Sequence, residues 1–209
     1  MLYYLSRCEE IENSTLILSI DSKNDEVISL CEKFSACETI ININETTLTI
    51  NENTGLVMGM GFERENFVLH IEEDCIVGKY ALKVANRLKR QMDEYTGSIC
   101  LYNNEDAPKV IWDLIDSRNL FISVGAWGTT REKYTEYCEA DCFTGYYSYD
   151  INIDRYCNKM GYNHLYTKLG HSNNIGAVGG KHVKDPEWHR KNQFCEYWAE
   201  TVGYTWNIR

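Results

Sequence analysis

The hydrophobic positions of the chain alternate between short apolar runs and longer segments with helical spacing. Residues 15–21 form a short run with β-branched side chains, and the apolar residues of 25–34 recur at helical spacing. Residues 38–43 predict a second strand. The following segment, 51–61, is rich in asparagine and glycine, which predicts a loop with one helical turn. The pattern therefore predicts a βα unit followed by a further strand and a long loop.

The second half of the chain continues this alternation. Residues 67–71 form an apolar run typical of a buried strand, and residues 79–95 place their apolar side chains on one helical face. Residues 98–102 and 120–129 predict further strands, and residues 131–138 predict a helix. We therefore expect an α/β fold, with a mixed sheet flanked by helices.

Three successive acids, Glu72, Glu73 and Asp74, follow the predicted strand 67–71. Adjacent anions repel one another, and a divalent cation, which prefers oxygen ligands, would relieve that repulsion and neutralise a bound diphosphate. The alternative is that the acids cap the next helix, whose N-terminus favours negative charge. The sequence leaves both interpretations open.

Composition narrows the class of protein. The chain has 209 residues, 44% of them hydrophobic and 25% charged, with no linker or internal repeat, which predicts a single domain over residues 1–209. No apolar run approaches the roughly 20 residues that cross a bilayer, and the N-terminus lacks the features of a secretory signal.

The nine cysteines include no Cys-x-x-Cys pair, which favours reduced thiols and a cytoplasmic location. The net charge of −10 opposes extended nucleic-acid binding.

Two aromatic segments carry candidate chemistry. Trp127 lies between Gly125 and Gly128, a pattern that permits close approach of a ligand, although a strand ending in a packed tryptophan explains it equally. Asp150 follows an aromatic segment, residues 146–149. Aromatic walls stack on sugars and raise the proton affinity of a carboxylate by desolvation, which suits a general base. The alternative is that Asp150 is a helix N-cap.

A glycine-rich segment, residues 169–182, ends at His182. Backbone N–H groups in such a segment cradle phosphates, and His182 is a candidate metal or phosphate ligand. The segment lacks the Gly-x-x-x-x-Gly-Lys-Ser/Thr pattern and lies too late for a Rossmann dinucleotide site. A nucleotidyltransferase is also disfavoured, because no glycine-rich loop with Lys or Arg occurs near the start.

The order of these segments resembles the nucleotide-sugar glycosyltransferases of the GT-A fold, in particular N-acetylglucosaminyltransferase I type enzymes. The resemblance spans about residues 15–182. It implies a single-domain, Rossmann-like GT-A fold and an inverting transfer from a nucleotide-sugar donor, expected to be a UDP-sugar, to a hydroxyl-bearing acceptor, with Mn²⁺ or Mg²⁺ as cofactor. The implied roles are metal binding by Asp74 with help from His182, base catalysis by Asp150, donor contacts by Asp21, Glu72, Glu73 and Trp127, and acceptor contacts by Tyr147, Tyr149 and Asn174.

The chain departs from the family pattern at several positions. Ile151 stands where the family has a second acid, and His171 replaces the leading arginine of a late motif. The helix-like residues 2–5 stand close to where the family has its first strand, so that strand is expected to be missing or atypical. Other elements or another chain would then complete the nucleotide site, or catalysis has been lost. The alternative function is a non-catalytic binding or assembly subunit with a degenerate glycosyltransferase fold.

Overall fold

The computed structural model describes residues 1–21, 23–103, 115–122, 125–167, 170–174 and 187. Within these ranges the chain forms the mixed α/β architecture that the sequence predicts. In chain order the elements are α1 (Leu2–Leu5), a 3₁₀ turn (Ile11–Asn13), β1 (Thr15–Ile20), α2 (Asp25–Glu32), β2 (Glu38–Ile43), α3 (Ile50–Arg64), β3 (Phe67–Ile71), β4 (Cys75–Val77), α4 (Ala81–Lys89), β5 (Thr96–Cys100), β6 (Ile115–Arg118), β7 (Ala126–Thr130), α5 (Arg131–Glu139), α6 (Tyr149–Met160), β8 (Asn163–Thr167) and β9 (Ser172–Asn174).

The predicted βα unit is confirmed at the start of the chain. Strands β1 and β2 are parallel neighbours in a two-stranded sheet, with Ile17 opposite Ile40. Helix α2 connects them, and its N-cap residue is Asn24, whose side chain accepts hydrogen bonds from two backbone N–H groups of the first turn. No strand precedes β1 in the described part of the chain, because residues 2–5 form α1.

The prediction of a loop over residues 51–61 is wrong, because this segment lies within the longest described helix, α3. Its N-terminus is a capping box, in which Thr49 Oγ1 accepts the Glu52 N–H at 3.2 Å and Glu52 Oε2 accepts the Thr49 N–H at 2.8 Å. Its glycines permit close packing. A Cβ at Gly61 would lie only 2.7 Å from Val68 Cγ2 on β3.

A five-stranded mixed sheet, in the order β3-β7-β5-β8-β6, forms the centre of the fold. Strands β5 and β8 are parallel, and the other described pairs of this sheet are antiparallel. Of the strand predicted over residues 120–129, residues 120–122 and Gly125, which has a φ of 93°, are not in a strand, and Ala126 begins β7. Residues 172–174, predicted as part of a loop, form β9, which pairs with β4 in a separate antiparallel sheet.

The two faces of the central sheet carry different cores. Successive residues of a strand face opposite sides, so Ala126 packs with an aliphatic cluster that includes Leu88 and Ile99. Its neighbour Trp127 packs with an aromatic cluster that includes Tyr149. The aromatic cluster lies beside the end of β3 and gives the candidate site one of its walls. None of the helices in the described ranges is both long and apolar enough to span a bilayer.

Candidate functional site

The three acids lie in a turn between β3 and β4. The Cys75 N–H donates to the Glu72 carbonyl at 3.1 Å and closes the turn, and the Glu72 N–H donates to the Gly125 carbonyl at 3.4 Å. The next helix, α4, begins at Ala81 and has no acid in its first turn. The interpretation of the acids as a helix cap is therefore wrong, and their clustering needs another explanation.

Two of the acids and the following cysteine form a compact group. Glu72, Asp74 and Cys75 each offer one ligand atom, and these atoms all lie within 4.8 Å of one another. Glu73 is exposed and lies outside the group. Carboxylate oxygens at such separations fit the coordination sphere of a divalent cation. The cysteine was missed at the sequence level, although its position directly after the acids was the available signal.

Glu72 has an unusual electrostatic environment. Burial, followed by the nearby charge of Asp74, raises the pKa of Glu72 to about 7. A hydrogen bond from Tyr149 opposes this rise, and the charges of Glu73 and Asp150 add to it. The carboxyl therefore titrates near neutrality in the protein without a cation. A bound divalent cation would reverse the effect and favour the ionised form.

Asn174 approaches the acid turn from β9. The pairing of β4 with β9 sets Asn174 opposite Cys75, and Asn174 Nδ2 donates to Asp74 Oδ1 at 3.1 Å. Cys75 Sγ lies 3.5 Å from the same oxygen. Burial, and then the charges of Glu72 and Asp74, raise the pKa of the Cys75 thiol well above its usual value, so it carries its proton. The structure thus brings Asn174, predicted as an acceptor contact, to the proposed metal ligand Asp74.

Tyr149 and Trp127 lie in the interior, so the structure does not place them on the exposed walls that the sequence predicts. Trp127 is fully buried, which agrees with the packed-tryptophan interpretation, and its ring stacks on Tyr149 with centroids 6.0 Å apart. Tyr149 is only 2% exposed, and its hydroxyl donates to Glu72 Oε1 at 3.0 Å. Burial, followed by the charge of Glu72, raises the pKa of Tyr149 well above its usual value. The hydroxyl therefore remains a hydrogen-bond donor.

His70 also borders this group and was missed at the sequence level. His70 lies on β3, two residues before Glu72 in the turn that follows, and its ring centroid is 6.0 Å from that of Tyr149 and 5.8 Å from that of Trp127. Burial lowers the pKa of His70 to about 4, so the imidazole is neutral at physiological pH. The two-residue spacing was the available signal, because residues two apart in an extended chain face the same side and Glu72 directly follows the end of β3.

Asp150 lies in the first turn of α6, whose N-cap residue is Ser148 rather than Asp150. Asp150 Oδ1 accepts a short hydrogen bond from Ser148 Oγ and a bond from the Ile151 N–H at 2.9 Å. The side chain is partly exposed, and its charge is near enough to contribute to the raised pKa of Glu72. The predicted base is thus in the neighbourhood of the acid turn and open to solvent.

A groove of about 410 Å³ lies between the first turn of α3 and residues 143–148, and its lining includes Ser148, which donates a hydrogen bond to Asp150. Tyr146 and Tyr147, which line it, are 97% and 44% exposed. The Arg155 guanidinium lies 4.0 Å from the centre of the Tyr147 ring. Asn51 links the two walls, since its Nδ2 donates to the Tyr147 carbonyl at 2.8 Å. Tyr147 therefore occupies the kind of exposed position that its predicted acceptor contact requires.

Asp21 lies just beyond β1 and has a structural partner. Its Oδ1 accepts the Leu48 N–H at 2.7 Å, which fixes the loop before α3. A polar network lies at the same end of the β1–β2 pair, where Asn53 Oδ1 accepts from Ser19 Oγ at 2.6 Å and from Asn44 Nδ2 at 3.1 Å. These amides and hydroxyls are groups that hydrogen-bond a base or a ribose.

The chemistry open to this arrangement is cation binding at the acid turn beside a solvent-accessible carboxylate. His182, the other predicted metal ligand, lies outside the described residues, as does the glycine-rich segment beyond Asn174. No protein-family model matches the sequence, and no curated protein resembles it significantly.

Proposed function

We propose that the protein is a glycosyltransferase that uses a divalent cation to transfer a sugar from a nucleotide-sugar donor, a UDP-sugar, to a hydroxyl group. The observation that carries the proposal is the meeting of Glu72 and Asp74 at the end of β3, with Asp150 close to them. Two carboxylates that face one another without a helix end to neutralise them are well explained by a cation.

The carboxylates of Glu72 and Asp74 are the residues that would hold Mn²⁺ or Mg²⁺. Their oxygens are the ligand type that both cations prefer, and the repulsion that raises the pKa of Glu72 would be relieved. When bound, the cation supplies charge neutralisation for the departing nucleoside diphosphate. Asn174, through its bond to Asp74, limits the orientations of that carboxylate.

Asp150 is the proposed general base. Its carboxylate takes the proton from the acceptor hydroxyl as that oxygen attacks the anomeric carbon. The new carbon–oxygen bond forms on the face opposite the breaking bond to the diphosphate, so the anomeric configuration inverts. The hydrogen bond from Ser148 orients Asp150, and the groove lined by Tyr146 and Tyr147 receives the acceptor.

The remaining donor contacts are also part of the proposal. Asp21 and the polar network at the end of β1 and β2 contact the base or ribose, and Glu73, exposed on the acid turn, contacts the donor phosphates through the cation or water. Trp127 supports the donor side from the interior by packing against Tyr149. Every cysteine in the described part of the chain is free, which supports a reducing, cytoplasmic setting.

Calorimetric titration with a panel of nucleotide-sugars, UDP-sugars first, tests the donor site. Each donor is titrated into metal-free protein and into protein with Mn²⁺, and we expect binding that requires Mn²⁺ and disappears in Asp74→Ala. Glu94→Gln, which removes an exposed carboxylate outside the acid turn, is the control and should bind the donor normally. Metal-independent binding, or binding that persists in Asp74→Ala, contradicts the proposed donor site.

One observation favours the alternative, a non-catalytic binding or assembly subunit. Among the described strands, β1 and β2 pair only with one another, so the predicted nucleotide-binding half is smaller than a complete GT-A sheet. The same titration, together with an assay of donor hydrolysis, separates the two functions. A folded protein that binds no nucleotide-sugar with Mn²⁺ and hydrolyses no donor supports the subunit and not the enzyme.

A further inference from the structure

We infer that Tyr149 is a positioning residue that holds the cation-binding carboxylate of Glu72 through its hydroxyl group. This inference rests on the proposed function, because it assigns a role within the same site. Tyr149 does not contact substrate in this role, which differs from the acceptor contact that the sequence predicts. The observation behind it is the bond of 3.0 Å from Tyr149 Oη to Glu72 Oε1, made by a side chain that is 2% exposed.

The hydrogen bond from Tyr149 engages one of the two oxygens of the Glu72 carboxylate. Because Glu72 Oε1 accepts from Tyr149, the other oxygen is left without a hydrogen-bond partner among the described residues. A carboxylate oxygen of Glu72 lies within 4.8 Å of a ligand atom of Asp74, so the bond from Tyr149 fixes the carboxylate within this group. Partners of this kind orient metal ligands in many proteins and increase their affinity for the metal.

The surroundings of Tyr149 hold the hydroxyl in place. Its backbone N–H donates to Asn51 Oδ1 at 2.7 Å, which fixes the start of α6 against α3. Its ring is stacked between Trp127 and Phe143, with centroid distances of 6.0 and 6.4 Å. A donor with so little freedom loses little entropy when it binds the carboxylate, and this is what a positioning group requires.

The hydroxyl also opposes the negative charge around Glu72. Asp74 lies beside that carboxyl, and Glu73 and Asp150 are near enough to act on it. Without the donor, the Glu72 carboxylate would face these charges with no compensating partner in the described structure. The carboxylate would then be free to turn away from Asp74, and that change weakens cation binding.

Titration of metal-free protein with Mn²⁺, followed by the electron paramagnetic resonance signal of the free ion, tests the inference. Tyr149→Phe keeps the ring and removes the hydroxyl, and we expect its Kd for Mn²⁺ to rise about 10- to 100-fold. The matched control is Tyr137→Phe. Tyr137 is also fully buried, but its hydroxyl donates to the Gly97 carbonyl at 2.8 Å, so its loss should leave the Kd unchanged.

A double-mutant cycle distinguishes positioning of Glu72 from a general structural role. In a Glu72→Gln background, Tyr149→Phe should cause no further loss of Mn²⁺ affinity, because the group that it positions is already changed. A purely structural tyrosine would lower the unfolding midpoint in both backgrounds without changing the Kd. Equal Kd values for the wild type and Tyr149→Phe overturn the inference alone. Failure of the wild type to bind Mn²⁺ overturns the proposed function and the inference with it.

Discussion

Asn174 and Asp74, a hundred residues apart in sequence, are joined by a hydrogen bond of 3.1 Å from the Asn174 amide to the Asp74 carboxylate. The bond depends on the antiparallel pairing of two three-residue strands, β4 and β9. The short strand that follows the acids is thus paired with a short strand that is distant in sequence. The acid turn is fixed on one side by this pair and on the other by the central sheet.

Removal of this amide tests how much the bond contributes to stability. Asn174→Ala removes the amide that donates to the Asp74 carboxylate, and hydrogen bonds to charged groups contribute about 1.5–3 kcal/mol. We expect the free energy of unfolding, measured by urea denaturation, to fall by about that amount. The control is Asn158→Ala, because Asn158 bonds only within the exposed surface of α6. An unchanged unfolding midpoint in Asn174→Ala would show that Asp74 does not depend on the amide.

Substitution of Asp150 tests the assignment of the base. Asp150→Asn removes the proton acceptor but keeps the size of the side chain, and we expect transfer to fall about 10²- to 10⁴-fold with donor binding unchanged. Transfer is followed by release of UDP in the presence of acceptor, and donor binding by calorimetry. Ser148→Ala, which deletes only the bond to Asp150, should cause a smaller loss. Full turnover by Asp150→Asn excludes Asp150 as the base.

The sequence predicts the elements that rest on strong local patterns. Strand β3, which leads into the acids, helix α4 and the alternation of strand and helix all follow from hydrophobic periodicity, and the structure contains them. The positions of Tyr149 and Trp127 do not follow from it. Whether an aromatic side chain faces solvent or the interior is decided by the pairing of β7 with β3 and by the docking of α6, which involve residues far apart in sequence.

Helix α3 shows a second limit of prediction from the sequence. Its asparagines and glycines have low helix propensity, which favours a loop when the segment is considered alone. In the structure, the packing of the helix on β3 and the capping box of Thr49 and Glu52 stabilise the helix more than these residues disfavour it. The capping box is visible in the sequence as a threonine followed three residues later by a glutamate, so this signal was available.

Gly61→Ala tests whether the glycines of α3 serve packing. Alanine favours a helix by about 1 kcal/mol, but its Cβ would lie 2.7 Å from Val68 Cγ2 and 3.1 Å from Val68 Cγ1. We expect a net loss of about 1–3 kcal/mol in the free energy of unfolding, as for other overpacked sites. The control Glu63→Ala, at an exposed position of the same helix, should change it by less than about 0.5 kcal/mol. A more stable Gly61→Ala protein contradicts the packing argument.

The buried imidazole of His164 predicts a loss of stability in acid. His164 is fully buried, its Nδ1 lies 2.7 Å from Ser98 Oγ, and burial lowers its pKa to about 4. The unfolded chain binds a proton near pH 6.5, whereas the folded protein does so only near pH 4. Between these values the unfolded state holds more protons, so stability falls as the pH falls, by up to about 3 kcal/mol from this one residue. We expect urea denaturation at pH 7.5, 5.5 and 4.5 to show this decline. The His164→Gln side chain does not titrate. Between pH 6.5 and 4 its free energy of unfolding should therefore fall less steeply with pH, by a slope that corresponds to about one proton, although the variant is less stable at every pH. The same pH dependence in both proteins would show that His164 is protonated without cost in the folded state.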